Sequence, residues 1–136
     1  MAEGGVPRAQ FTAFIGGVVE EVREGYCRLG LVAGPQHLDR DGALHAGVLT
    51  TLLDSSLGIA LGGLRGRSGG PRSQATIEMS AGFPGRAQSG DKIVVEGRVT
   101  HLLETVAFGR AEARRDRDGE VIAEARLTFA VRHARP

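Results

Sequence analysis

His37-Leu38-Asp39-Arg40-Asp41-Gly42-Ala43-Leu44-His45-Ala46-Gly47-Val48-Leu49-Thr50-Thr51-Leu52-Leu53-Asp54 is the stretch that decides the fold of this chain. It starts as a polar loop containing Gly42 and continues as an apolar segment with a single carboxylate, Asp54. A charged side chain among leucines is costly unless it is paired or used in chemistry. Asp54 is therefore the first candidate for a functional residue.

The apolar segment predicts a helix from about Ala46 to Leu64. Apolar residues cover most of the circumference of this helix, and a helix of that kind is buried rather than placed at a surface. Each glycine inside it costs about 1 kcal/mol of helix propensity, so their presence indicates close packing against something flat. A flexible glycine-rich loop is expected from Gly62 to Arg72.

Strands are predicted on both sides of this helix. A short helix from Ala9 to Ile15 and two strands, 16–22 and 26–33, come first. Four strands follow the central helix, and the last of them alternates strictly between apolar and polar residues; they are Thr76–Phe83, Lys92–Leu103, Val106–Arg115 and Val121–Val131. The third of these carries a row of small residues that would let a helix lie close to the sheet, namely Ala107, Gly109, Ala111 and Ala113.

Composition excludes several classes of protein. The 136 residues suit one domain, expected over 9–136 after a disordered tail at 1–8. The net charge is +1, and basic and acidic residues are interspersed along the chain, so there is no concentrated basic surface for a nucleic acid. The chain has no Trp and one Tyr, so it offers few aromatic side chains on which bases could stack. No nucleic-acid partner is therefore expected. No apolar run approaches the length of a membrane span. The lone Cys27 and the absence of a signal-like segment predict a soluble cytoplasmic protein.

The order of elements predicts an α+β architecture in which a long antiparallel sheet wraps around one central helix. Strands of this length leave exposed edges, which favour the edge-to-edge or face-to-face pairing of two subunits. A homodimer or homotetramer is therefore expected.

The loop and helix start together resemble a known family. The pattern His37-x-Asp39-x-x-Gly42-x-x-His45-Ala46-Gly47, followed by Asp54, resembles the hotdog-fold acyl-CoA thioesterases of the PaaI-like type, within the 4-hydroxybenzoyl-CoA thioesterase superfamily. The resemblance implies a hotdog fold, a dimer or dimer of dimers, and hydrolysis of an acyl-CoA or aroyl-CoA thioester without a cofactor. Two positions depart from the family pattern: Ala46 replaces a glycine, and Asp39 replaces an asparagine.

The residues themselves suggest how such a reaction would proceed. The N–H groups of Ala46 and Gly47 lie at the helix start, where they have no intrahelical acceptor and can stabilise an oxyanion. Asp54 supplies a carboxylate that either attacks the carbonyl carbon or deprotonates a water molecule. Eight residues of helix separate the two groups by about 12 Å, so one thioester cannot touch both within one chain. We therefore expect a site shared by two antiparallel helices at a subunit interface, with His45 and Asp39 completing the catalytic set.

Further residues are candidates for substrate binding. Ser73 and Thr76 are placed to orient a water molecule or Asp54, and nearby arginines are placed to hold the phosphates of coenzyme A; the substrate-binding set is His37, Ser73, Thr76, Arg65, Arg67 and Arg86, with Arg72 as a further arginine. His37 and His45 have the alternative role of packing the loop. No metal site is expected, because the His and Asp spacing matches no known ligand template. Two alternatives remain open, namely a non-catalytic acyl-CoA-binding protein and a hydratase or dehydratase.

Overall fold

The computed structural model describes residues 10–64 and 71–133. The expected N-terminal tail, 1–8, and two of the candidate arginines, Arg65 and Arg67, lie outside the described residues. Within these ranges the chain forms two helices and six strands. They are α1 (Gln10–Phe14), β1 (Val18–Arg23), β2 (Tyr26–Val32), α2 (Ala46–Gly62), β3 (Pro71–Gly82), β4 (Lys92–Leu102), β5 (Val106–Arg115) and β6 (Glu120–His133), with a 3-10 turn at Pro35–His37.

The six strands form one antiparallel sheet with the order β1-β2-β4-β5-β6-β3. The central helix α2 packs against one face of this sheet, mainly over β2, β4 and β5. The predicted α+β arrangement, in which an antiparallel sheet holds one long buried helix, is therefore confirmed. Strands β1 and β3 form the two edges.

The row of small residues on β5 has the predicted effect. Ala107, Ala111 and Ala113 are at most 3% exposed, and Gly109 lies beneath the methyl groups of Leu57 on α2. The helix contributes large apolar side chains to the same layer, among them Leu52, Leu53, Leu57 and Leu61. Small residues on the strand leave the space that these leucines fill, so the helix approaches the sheet closely.

One strand differs from the prediction. The structure starts β3 at Pro71, five residues before the expected start at Thr76, so Arg72 lies in a strand rather than at the end of the predicted loop. The weak alternation of this segment has a structural cause. Strand β3 pairs only with β6, has register shifts between Pro71 and Ser73 and between Thr76 and Glu78, and leaves most of its side chains exposed.

Candidate functional site

The loop between β2 and α2 is anchored by His37, which is 4% exposed. The N–H of Gly34 donates a hydrogen bond to Nδ1 of His37 (2.9 Å), so Nε2 carries the proton and donates to the carbonyl oxygen of Ile15 (2.6 Å). Both ring nitrogens are therefore occupied inside the chain. His37 was expected among the substrate-binding residues, but its position makes it an anchor of the loop, and we assign it no contact with substrate.

Asp39 holds the turn that leads into α2. Its Oδ1 accepts hydrogen bonds from the backbone N–H groups of Asp41 (2.8 Å) and Ala43 (3.1 Å). The turn needs Gly42, whose φ of +82° is in the left-handed region. The N–H of Ala43, with further help from that of Asp41 and from the charge of Arg86, holds the pKa of the Asp39 carboxyl below its usual value. Asp39 is thus a charged acceptor that fixes the loop, and it cannot donate a hydrogen bond as an asparagine can.

The N-terminus of α2 is capped by His45. This residue has an extended backbone, and its Nδ1 accepts a hydrogen bond from the N–H of Gly47 (2.7 Å). The N–H of Gly47 is therefore not open to a ligand in this structure, contrary to the sequence-based expectation. Among the described residues, the N–H of Ala46 has no hydrogen-bond partner, so it is the open donor at the helix start.

Asp54 is half-buried on the side of α2 that faces β3. Its Oδ1 accepts a hydrogen bond of 2.6 Å from the hydroxyl of Thr76, whereas Thr51 bonds to the helix backbone instead. The neighbouring Leu53 and Leu57 point to the sheet and are at most 1% exposed. The prediction that apolar side chains surround Asp54 is therefore wrong within one chain. The carboxylate is instead oriented by the hydroxyl of Thr76.

The open donor and the carboxylate lie far apart in one chain. Ala46 is the first residue of α2, and Asp54 follows eight residues later on the same continuous helix. At roughly 1.5 Å per residue the two backbone positions are about 12 Å apart, so they cannot both contact one carbonyl group. A single chain therefore does not bring the N–H of Ala46 and the carboxylate of Asp54 to the same substrate group.

The remaining candidates are spread over the surrounding surface. Ser73 and Arg72 are exposed near the start of β3, and Arg86 is exposed in the segment between β3 and β4. The carbonyl of Arg86 accepts a hydrogen bond from Arg115 (2.5 Å), while its charge acts on Asp39. Of the predicted substrate-binding residues that lie in 10–64 and 71–133, the structure brings Thr76 alone into hydrogen-bond contact with Asp54.

Two polar contacts that position α2 are not apparent from the sequence. The hydroxyl of Thr12 donates to that of Ser55 (2.6 Å), and the amide of Gln74 donates to the carbonyl oxygen of Gly58 (2.6 Å). The glycine at position 58 inside the helix is the sequence feature that could have indicated an outside donor, because a residue without a side chain leaves its carbonyl accessible. The first contact joins α2 to α1, and the second joins α2 to the edge strand β3.

Two other kinds of feature, a metal-binding cluster and a membrane-spanning helix, are absent from residues 10–64 and 71–133. No group of three or more His, Cys, Asp and Glu side chains there is arranged to hold a metal ion. None of the helices in these ranges combines the length and the apolar character needed to cross a membrane.

Comparison with a family model connects this geometry to known proteins. The model of the thioesterase superfamily matches residues 41–122, which include the helix start, Asp54 and Thr76.

Similar proteins include a candidate esterase of Pseudomonas aeruginosa, which is 33% identical over 69% of this chain and 66% of its own. Acyl-coenzyme A thioesterase 13 of Mus musculus is 29% identical over 68% of this chain and 64% of its own. The chain spans between 57% and 66% of the length of the curated relatives it matches. A crystal structure from Streptococcus mutans, bound to acetyl CoA, has a TM-score of 0.80 at 19% identity, covering 90% of this chain and 94% of its own. Together with the family match, this similarity confirms the hotdog fold.

Proposed function

Because the chain belongs to the thioesterase superfamily, we propose that it hydrolyses an acyl-CoA or aroyl-CoA thioester to the free acid and CoA. The observation that carries the proposal is the half-buried Asp54, whose carboxylate is held 2.6 Å from the Thr76 hydroxyl on the side of α2 facing an edge strand. The choice of CoA as the leaving group is supported by the acetyl CoA in the similar structure and by the name of the mouse relative.

The site would be completed by a second subunit. Strand β3 is an edge strand with Ile77 59% exposed, and such an edge is a template for pairing with another chain. Pairing two copies about a two-fold axis beside β3 would run their α2 helices antiparallel. The helix start of one subunit would then approach Asp54 of the other. Both groups could thus contact one thioester, although they are about 12 Å apart within one chain. A homodimer with two equivalent sites follows, and a homotetramer is a dimer of such dimers.

In this site the thioester carbonyl oxygen would bind the open N–H of Ala46, where the helix dipole favours negative charge. Asp54 of the other subunit either attacks the carbonyl carbon or removes a proton from the water that attacks it. When water attacks, the C–S bond breaks, the sulfur leaves as the CoA thiolate and takes up a proton, and the acyl group is released directly as the free acid. When Asp54 attacks, the same bond breaks to leave an anhydride between the acyl group and Asp54, which a water molecule then hydrolyses to the free acid and the Asp54 carboxylate. Thr76 donates to Oδ1 of Asp54 and so leaves Oδ2 for the reaction.

His45 controls the second donor. Its Nδ1 accepts the hydrogen bond of the Gly47 N–H in the single chain, so Gly47 contributes to the oxyanion site only when the imidazole turns away. A methyl group on residue 47 would lie 2.9 Å from Nδ1 of His45, so a side chain at this position would have to displace the imidazole that forms the cap. His45 therefore affects the reaction indirectly, because its side chain decides whether the N–H of Gly47 is free to bind the substrate oxygen.

The single thiol supports a proposal for the cellular location. Cys27 is the only cysteine of the chain and is fully buried, so it cannot form an internal disulfide. Proteins without disulfides are common where thiols are kept reduced. We propose the cytoplasm, where acyl-CoA substrates are available to a soluble enzyme.

The test compares Asp54→Asn with Asp116→Asn, which makes the same chemical change at an exposed turn. Purified proteins are mixed with a panel of acyl-CoA and aroyl-CoA thioesters, and released CoA is measured with a thiol reagent. Loss of the base or nucleophile is expected to lower kcat by about a thousandfold, while the control keeps full activity. Activity that survives in Asp54→Asn would contradict the proposal. Tight acyl-CoA binding without turnover by the unmodified protein would identify a binding protein instead, and loss of enoyl absorbance without free thiol would identify a hydratase.

A further inference from the structure

The edge strand β3 is joined to α2 by two polar contacts that lie side by side. The hydroxyl of Thr76 donates a hydrogen bond of 2.6 Å to Oδ1 of Asp54. The side-chain nitrogen Nε2 of Gln74 donates a hydrogen bond of 2.6 Å to the carbonyl oxygen of Gly58. On the helix Gly58 follows Asp54 by one turn, and on the strand Gln74 precedes Thr76 by two residues. The two contacts are therefore adjacent links between the same two elements.

The spacing of the two links agrees on both elements. Four residues of α2 rise about 6 Å along the helix axis, and two residues of β3 rise about 7 Å along the strand. Residues two apart on a strand point to the same side, so Gln74 and Thr76 share one side of β3. The register with β6 is regular over this step, where the two residues pair with Val131 and Phe129. A displacement of Gln74 is therefore passed directly to Thr76.

The bond between Thr76 and Asp54 receives little protection from its surroundings. It is exposed, so water competes for both partners. Few apolar contacts fix this part of β3, since Pro71 is buried, Gln74 and Met79 are half-buried, and the other nine side chains of the strand are exposed. The distance from Thr76 to Asp54 therefore depends on what else holds β3 beside α2.

The contact of Gln74 is the firmer of the two links. It is partly buried, and a hydrogen bond there is electrostatically stronger than one in water. A backbone carbonyl oxygen only accepts hydrogen bonds, so the side chain at position 74 must present a donor. A Cβ at Gly58 would lie 3.7 Å from the buried ring of Phe129, so this part of α2 already packs closely on β6. The carbonyl oxygen of Gly58 is therefore a fixed point to which β3 is attached.

We propose that Gln74 is a positioning residue for the reaction, because its bond to Gly58 holds β3 where the Thr76 hydroxyl reaches Asp54. The proposal rests on the proposed thioesterase function and adds to it a residue whose effect passes through Thr76. Without the amide donor, β3 moves away from α2 and the bond from Thr76 to Asp54 lengthens. The carboxylate then turns more freely, so Oδ2 meets the thioester or the attacking water in the productive geometry less often.

The test is a double-mutant cycle on released CoA, with Gln74→Met, Thr76→Val and the variant that combines them. Methionine keeps the length of glutamine and removes the donor. We expect Gln74→Met to lower kcat by about fivefold with an unchanged KM. In the Thr76→Val background the same substitution is expected to change kcat by less than about twofold, because no hydroxyl is left to position. The matched control is Gln88→Met, at an exposed glutamine between β3 and β4, which is expected to keep the wild-type kcat.

Two results of the cycle would overturn the proposal. One is a wild-type kcat in Gln74→Met, and the other is an equal loss of kcat in both backgrounds, which would show that Gln74 acts independently of Thr76. Gln74→Glu is a second variant that keeps the shape of glutamine but cannot donate when it is ionised. It is expected to lower kcat as well, and a wild-type kcat in this variant would also count against the proposal.

A further measurement does not depend on catalysis. Amide hydrogen exchange of residues 71–82, which form β3, is compared between the wild-type protein, Gln74→Met and Gln88→Met. Exchange at Thr76 is expected to be about fivefold faster in Gln74→Met alone, because the strand opens more easily without its link to α2. Unchanged exchange would overturn the proposal. If the wild-type protein releases no CoA from any thioester, the proposed function fails, and the exchange rates then decide by themselves whether Gln74 holds the strand.

Discussion

The backbone of α2 lies close to the sheet at Gly97 on β4, and this contact provides a strong test of the packing argument. A Cβ built at residue 97 would lie 2.7 Å from the carbonyl carbon of Ser56 and 2.8 Å from the nitrogen of Leu57. Both are backbone atoms of α2, so no side chain can rotate out of the way. Gly97→Ala must therefore displace the central helix from the sheet or bend the strand.

The magnitude follows from two opposing effects. Adding a methyl group to a well-packed core costs about 1–3 kcal/mol, and contact with rigid backbone places this substitution near the upper end. Replacing a glycine inside a strand by alanine returns about 0.5–1 kcal/mol, because the unfolded chain loses conformational freedom. We therefore expect Gly97→Ala to lower the free energy of unfolding by about 2 kcal/mol.

The assay is urea unfolding, with all proteins at one concentration because association stabilises the folded chain. Gly82→Ala, at the end of β3, is the matched control, since a Cβ there has no heavy atom within 4 Å. The control is expected to leave stability unchanged or raise it by up to about 1 kcal/mol. A loss of less than about 0.5 kcal/mol in Gly97→Ala, or an equal loss in both variants, would refute the close-packing argument.

Three other predictions concern the site and its surroundings. Thr76→Val removes the hydroxyl that orients Asp54 and is expected to lower kcat by about tenfold or more, whereas Thr76→Ser keeps the hydroxyl and the wild-type kcat. Equal kcat values for the two variants would refute the role of Thr76 in orienting Asp54. His37→Ala leaves two backbone groups without their partner and should lower the free energy of unfolding by about 3 kcal/mol, with an unchanged KM in the folded enzyme; a raised KM at unchanged stability would restore it as a substrate contact. Burial raises the pKa of the Cys27 thiol to about 12, so at pH 8 the native protein should be almost unreactive towards a thiol reagent and should react fully once unfolded. Rapid labelling of the native chain would contradict this.

Several parts of the fold could be predicted because they depend on local patterns. The helix was placed within two residues of its observed end, and the strict alternation of β6 and the small residues of β5 identified the faces that meet α2. Strand β3 was placed less well. Its side chains are exposed along an edge, so no alternation between buried and solvated positions marks where the strand starts.

The sequence by itself determined the periodic features of this protein, namely which segments are helix or strand and which of their sides are apolar. It also identified Asp54 as a carboxylate among apolar residues, which is costly unless it is paired or takes part in chemistry. Only the tertiary structure decided which groups contact that carboxylate. Strand β3 pairs with β6 and lies beside α2, which brings Thr76 to Asp54 although the two residues are 22 positions apart in the chain. The capping of Gly47 by His45 likewise depends on the direction in which the loop enters the helix. Periodicity records the environment of each residue along its own element, whereas these contacts depend on how separate elements are ordered in space.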